Sequence, residues 1–194
     1  DWPGEVCPDI EETGTGLSLT DDGRVEVSLP TGFDFRFYGR EIDRFWINMD
    51  GVISFDDVNV TPFTSNILCP PMSPPSWRAT SVEFIAALWD NWDPTAGGSV
   101  SWEIVGDAPE RRLVVNWTEI PLGFSWLTGD QSVSFRAVLD EGTDIIHVCY
   151  IETETPARTF NSQGNSAISG ISRGNGADGD GMTFSCRTPS LVSG

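Results

Sequence analysis

From Gly23 to Pro30 the chain alternates without a break: Val25, Val27 and Leu29 fall on one side of an extended backbone, and Arg24, Glu26 and Ser28 on the other. A period of two is the spacing of a half-buried strand and is incompatible with a helix. The same chemistry recurs along the chain. Runs rich in Val, Ile, Phe, Trp and Thr, residues that suit a pleated surface, are punctuated by 20 Gly and 13 Pro. Strands are expected at Phe33 to Tyr38, Arg44 to Met49, Val52 to Phe55, Glu83 to Leu88, Ser99 to Val105 and Arg112 to Thr118. Val133 to Leu139, Ile145 to Ile151, Ala167 to Ser172 and Met182 to Cys186 follow. Asp50-Gly51 supplies the positive φ angles of a two-residue hairpin, so Arg44–Met49 should pair with Val52–Phe55. Glu141-Gly142-Thr143-Asp144 should likewise join Val133–Leu139 to Ile145–Ile151. About ten short strands joined by turns specify an all-β fold, a jelly-roll-like β-sandwich of two antiparallel sheets.

One stretch breaks the rhythm. Residues 59–79 hold Pro62, Pro70, Pro71, Pro74 and Pro75 with little periodicity, so a long Pro-rich loop is expected there, pinned by Cys69. Such a loop is either a binding surface or a plain crossover between sheets. The chain of 194 residues then divides into an N-terminal arm at 1–18, a single sandwich domain at 19–188 and a tail at 189–194.

The four cysteines, Cys7, Cys69, Cys149 and Cys186, are widely spread and form no C-x-x-C pair. With His147 as the sole histidine, a Cys/His zinc site is all but excluded. Two disulfides and an oxidising compartment are expected instead. Cys149 and Cys186 both lie in apolar runs, which favours joining two late strands and leaves Cys7 with Cys69; Cys7 with Cys186 stays open as the alternative.

The net charge is −18, from 29 acidic residues against 11 basic ones, all of them Arg. Nucleic-acid binding needs a cationic footprint, so nucleic acid and anionic membranes are poor partners. Divalent cations, high salt or a cationic partner are tolerated by such a surface. A composition bias or a salty habitat explains the same numbers without any partner. No apolar stretch approaches the roughly 20 residues of a membrane span, so membrane insertion is not expected. The opening Asp1-Trp2-Pro3-Gly4 reads as a mature chain relieved of its leader, or a piece of a longer one.

Several aromatic motifs follow in order: Phe35-Arg36-Phe37-Tyr38-Gly39, then Phe45-Trp46-Ile47-Asn48-Met49-Asp50-Gly51-Val52-Ile53-Ser54-Phe55, then Ile85-Ala86-Ala87-Leu88-Trp89-Asp90-Asn91-Trp92-Asp93-Pro94. Gly97-Gly98-Ser99-Val100, Arg112-Leu113-Val114-Val115-Asn116-Trp117 and Val133-Ser134-Phe135-Arg136-Ala137-Val138-Leu139 come after them. From about Leu19 to Cys186 this order resembles a β-sandwich module of secreted bacterial proteins and, more distantly, the nidogen-type extracellular domain. The resemblance implies a secreted, extracellular or cell-surface module for adhesion, accessory or structural work. It implies no catalytic set.

The residues themselves supply none either. His147 stands inside a strand with no nucleophile motif beside it, and period two turns it away from the face of Ile146 and Val148. A glycosidase needs two carboxyls at a set separation, and the strand-borne candidates Glu83, Glu103 and Glu119 are not singled out by spacing. The strongest site candidate is the turn Trp89 to Pro94, where Asp90, Asn91 and Asp93 present three oxygen-bearing side chains of the kind calcium takes. Asp178 and Asp180, in a Gly-rich turn without a distal Glu, form a second calcium candidate. Asp and Asn are also favoured in turns simply because they bond their own backbone. Trp46, Trp102 and Trp117 belong to strands and the core, whereas Trp77 and Trp126 lie in loop-like stretches where indoles stack on sugar faces or fill a partner's pocket. The expected partner is a protein or glycan on a cell surface or matrix, with self-assembly through an edge strand as a variant. A lectin-like carbohydrate-binding domain, with or without calcium, is the second reading and a glycoside hydrolase the third.

Overall fold

The structure is a computed structural model that describes residues 6–10, 13–18, 20, 23–58, 60, 82–123, 132–154, 166–173 and 181–186. Every regular element among them is a strand: β1 (Thr15–Leu17), β2 (Arg24–Ser28), β3 (Arg36–Phe37), β4 (Arg40–Glu41), β5 (Arg44–Asn48), β6 (Val52–Ser54) and β7 (Phe84–Trp89). They continue with β8 (Ser99–Val105), β9 (Arg112–Ile120), β10 (Val133–Asp140), β11 (Ile146–Glu152), β12 (Ile168–Ser172) and β13 (Gly181–Cys186).

Two antiparallel sheets carry the fold. The first has the order β1-β8-β9-β10-β11, and the second β13-β12-β7-β6-β5-β2. One core joins them. It is built from Val27, Phe45, Ile47, Ile53, Ile85 and Ala87 of the second sheet and Val100, Leu113, Val115, Trp117, Phe135 and Ala137 of the first. Trp117 stacks on Phe135 at 5.0 Å and 13°, and its Nε1 crosses the interface to donate to the Asn48 carbonyl at 3.2 Å. The Tyr150 hydroxyl does the same from β11, reaching Ser169 Oγ at 2.6 Å and the Ala87 carbonyl at 3.3 Å. Burial raises the pKa of that phenol, with the Ser169 bond opposing more weakly.

Both sheets are also covered on their outer faces. Ile10 packs with Val114 and Val138 on the outside of the first sheet, so the N-terminal arm lies across β9 and β10. Val52, Phe84, Ala86, Trp89 and Ile168 pack on the outside of the second sheet with Val60 and Val82, the described residues nearest the two ends of the Pro-rich stretch. Double coverage explains why β7 is buried along its whole length and reads as an unbroken apolar run, whereas β2 alternates.

Four differences from the sequence reading have local causes. First, Cys7 is bonded to Cys149, with 6.3 Å between Cα atoms, as the single disulfide among the described residues rather than two. This overturns both the Cys149–Cys186 pair and the Cys7–Cys186 alternative, and with them the Cys7–Cys69 pair. The reason is topological: β11 and β13 belong to different sheets, and Cys149 packs with the Ile10, Val114 and Val138 cluster on the outer face of the first sheet. Cys69 and the rest of residues 61–81, including the Pro-rich loop, lie outside the described residues. Second, Phe33 to Tyr38 is not one strand. Phe33, Phe35 and Phe37 all point into the core, but only Arg36 and Phe37 pair, with Arg40 and Glu41, around a Tyr38-Gly39 turn whose φ angles are 47° and 83°. Third, the Asp50-Gly51 hairpin pairs β5 with β6, but Asn48 stands opposite Val52, which makes a three-residue loop with Gly51 at φ 77°. Fourth, β1 lies within the segment expected as an arm. The second hairpin is as expected, joining β10 to β11 with Leu139 opposite Ile146.

Candidate functional site

At one end of the sandwich β7 runs straight into the turn that sequence reasoning singled out. Trp92 is wholly buried in it, its Nε1 donating to the Leu88 carbonyl at 2.6 Å and its ring 6.2 Å from that of Phe135. That anchor fixes the turn. Asp93 N–H donates to the Pro121 carbonyl at 2.9 Å and Gly123 N–H to the Asn91 carbonyl at 2.6 Å, while Trp92 forms an isolated bridge with Leu122. The hairpin loop of β5 and β6 lies directly beneath, because Ala87 N–H donates to the Gly51 carbonyl at 2.9 Å and Asp90 N–H to the Asp50 carbonyl at 3.3 Å.

The carboxylates of this turn already have protein donors. Asp90 is buried; its Oδ1 accepts from Asn91 N–H at 2.8 Å and its Oδ2 from the Ser166 hydroxyl. Asp93 Oδ1 accepts from the backbone N–H and the hydroxyl of Thr95 at 2.9 and 2.5 Å. Among the described residues, no three His, Cys, Asp or Glu side chains gather as a metal site. Asp90, Asn91 and Asp93 share one turn, in which the Asp90 and Asp93 carboxylates accept from the turn's own N–H and hydroxyl donors and from Ser166, as Asx side chains do. Asp178, Asp180, Trp77 and Trp126 lie outside the described residues.

Sequence reasoning passed over two groups here. Asp50, which it used only as a turn former, is itself buried at this end. Trp89 is buried on the outer face of the second sheet, and among the described residues its Nε1 has no hydrogen-bond partner. An unbroken apolar run leading into Trp89 was the available signal that this indole belongs to packing.

At the end marked by the β10–β11 hairpin sits a denser charged group. Asp140 and Arg112 are buried and paired at 3.0 Å, and His147 Nε2 lies 3.1 Å from the other oxygen of Asp140. Next to them Glu141 is gripped by Arg111 through Nε at 2.8 Å, Nη2 at 2.5 Å and the backbone N–H at 2.9 Å. Asp34 N–H donates to the same carboxylate at 3.4 Å. The Arg111 bonds hold the Glu141 carboxyl below the usual carboxylate range, against the opposing pull of burial. Arg111 also lies over the Phe33 ring at 5.3 Å. Every charge in the group has an opposite at contact distance, an arrangement that closes the sandwich end. The other carboxylates considered for glycoside chemistry are dispersed: Glu83 bonds Arg40, Glu103 accepts from Thr13, and Glu119 sits at the far end of β9 with φ 50°.

Two packed antiparallel sheets, the first with an arm fastened to its outer face by a disulfide, define the chain as an all-β, sandwich-like module. It matches the family model for NIDO-related (nidogen-related) domains over residues 8–193, and the chain belongs to that family. No curated protein and no solved structure gives a significant match.

Proposed function

We propose that this chain is a non-catalytic extracellular module serving adhesion or surface assembly, with a protein or glycan of a cell surface or matrix as partner. The observation that carries the reading is the Cys7–Cys149 bond in a NIDO-related chain. A bond that fastens the arm over the first sheet is typical of oxidising compartments outside the cytosol, where thiols are not kept reduced. The polar clusters at both ends support it as well, since the bonds of Asp90, Asp93 and Glu141 and the Arg112–Asp140 pair hold turns and strand ends in place.

Beads coated with the oxidised chain should be retained on the surface of the producing cells or on their shed matrix, and beads coated with reduced, alkylated chain should not. Retention lost after surface proteolysis identifies a protein partner; retention lost after periodate identifies a glycan. Equal retention of both bead types, or none, sinks the reading.

A further inference from the structure

The N-terminal arm and β11 meet at one point, and three layers are fastened there. Cys149 stands opposite Arg136 in the β10–β11 ladder, and both members of that pair grip Cys7. Cys149 takes its sulfur, while Arg136 Nη1 donates to its carbonyl at 3.0 Å and Nη2 pairs with Asp9 at 2.9 Å. Asn116 Oδ1 aims that guanidinium by accepting from Nε at 3.0 Å. Successive residues of a strand point to opposite faces, so Tyr150, the next residue along β11, turns inward. Its hydroxyl reaches Ser169 of β12 at 2.6 Å and the Ala87 carbonyl of β7 at 3.3 Å. Arm, first sheet and second sheet are thereby joined through two neighbouring residues.

The rest of the arm has slighter attachments. From Cys7 it passes over β9 and β10 at Ile10, reaches β8 where the Thr13 hydroxyl donates to Glu103 at 2.6 Å, and pairs with β8 through the three residues of β1. Without the disulfide, a pull on the chain ahead of Cys7 lifts Ile10 and then strips β1 from β8 a few bonds at a time. With it the same pull crosses from Cys7 straight to Cys149, so the arm and β1 are bypassed. The tension arrives in the middle of β11, where the ladder to β10 and the Tyr150 bonds to the second sheet resist together.

We propose that Cys7, Cys149, Arg136 and Tyr150 form a force anchor, which delivers tension entering ahead of Cys7 to β11 and shares it between the two sheets. One redox bond then sets how the chain yields under load. Oxidised, it cannot be peeled from its arm; reduced, it gives way there first. Unfolding under force is governed by the rate of the first yielding step, so removing the weakest step from the load path slows the whole event. The anchor rests on the covalent path and the sheet contacts alone, and stands whether or not the chain adheres to cells.

Optical-tweezers pulling on the whole chain, through peptide tags at its two ends, reads the anchor with and without reductant. The fully stretched oxidised chain should fall short of the reduced one by about 500 Å, the reach of the 142 residues that the bond closes off. In the reduced chain a first step on the order of 30 Å, the freeing of the arm, should precede the unfolding of the sheets. Cys7→Ala with Cys149→Ala, pulled without reductant, should reproduce that step, which separates this bond from any other that reductant opens. Tyr150→Phe should speed unfolding of the oxidised chain under constant load by about threefold or more, and leave the arm step of the reduced chain unchanged. Equal stretched lengths, an arm step present in the oxidised chain or absent from the reduced one, or an oxidised chain indifferent to Tyr150→Phe overturns the proposal. None of these outcomes decides whether the chain adheres to cells.

Discussion

Glu141 is the residue on which the hairpin end of the sandwich turns. Its carboxylate takes three bonds from Arg111 and one from Asp34, and those four donors lie in two segments far from it in sequence. Replacing it by Gln keeps the shape and one acceptor oxygen but removes the charge, which should destabilise the chain by about 1–3 kcal/mol at neutral pH. The pH dependence has a definite sign. Because the folded carboxyl titrates below its ordinary value, its stabilisation is fully present above the unfolded pKa of about 4.3 and is lost as pH falls through the folded value. Urea midpoints of the natural chain and of Glu141→Gln should therefore differ near neutrality and converge on acidification; a constant difference would contradict this account. A second residue-scale test lies at the other end. Asp90→Ala strips the buried Ser166 hydroxyl and the Asn91 N–H of their acceptor, and in the presence of a chelator it should still cost about 1–3 kcal/mol. If instead the loss depends on added calcium, the turn holds a cation and its internal bonds are secondary. None of these pairings was legible in the sequence, where Glu141 reads as a turn residue and nothing singles out Arg111. Their partners come from separate strands, and only the fold sets them face to face.

Elements were far more legible than contacts, because a strand announces itself by period and a turn by its Gly. β2, β8, β9, β10 and β11 fall where the alternating runs are, and both hairpins form at their Asp-Gly and Glu-Gly turns. Failure came where one signal carried two meanings. The alternation of Phe33, Phe35 and Phe37 correctly reported which side chains enter the core, yet most of that segment has no ladder partner among the described residues. Gly51 shows the converse, a glycine whose role exceeds its turn. It sits at φ 77°, and a Cβ there would run into the Leu88 carbonyl of β7, whereas Gly32 at φ 78° has nothing within 4 Å. Gly32→Ala should thus cost only the left-handed backbone penalty of about 1–2 kcal/mol. Gly51→Ala should cost clearly more, since the hairpin loop must withdraw from β7 and loosen the bonds of Ala87 and Leu88 to the Gly51 carbonyl. Thermal midpoints of the two variants, measured side by side, read the difference; equal losses would show that the close approach is not a constraint.

At the scale of the molecule the arm and its disulfide decide how the first sheet is closed. Ile10 fills the outer face between Val114 and Val138, Arg136 donates to the Cys7 carbonyl at 3.0 Å and meets Asp9 at 2.9 Å, and Cys149 receives the Cys7 sulfur. The sequence placed both cysteines but not their pairing, because pairing depends on which sheet and which face each strand joins, and apolar runs alone do not assign strands to sheets. The bond spans 142 residues, so in the unfolded chain it removes a large loop's freedom. Replacing both Cys7 and Cys149 by Ala should cost about 2–4 kcal/mol and free the arm to proteolysis before the sheets unfold. Peptide mapping without reductant tests the arrangement directly. Cys7 should be recovered joined to Cys149. A Cys149–Cys186 peptide would place β11 and β13 within reach of one another and undo the assignment of these strands to opposite sheets.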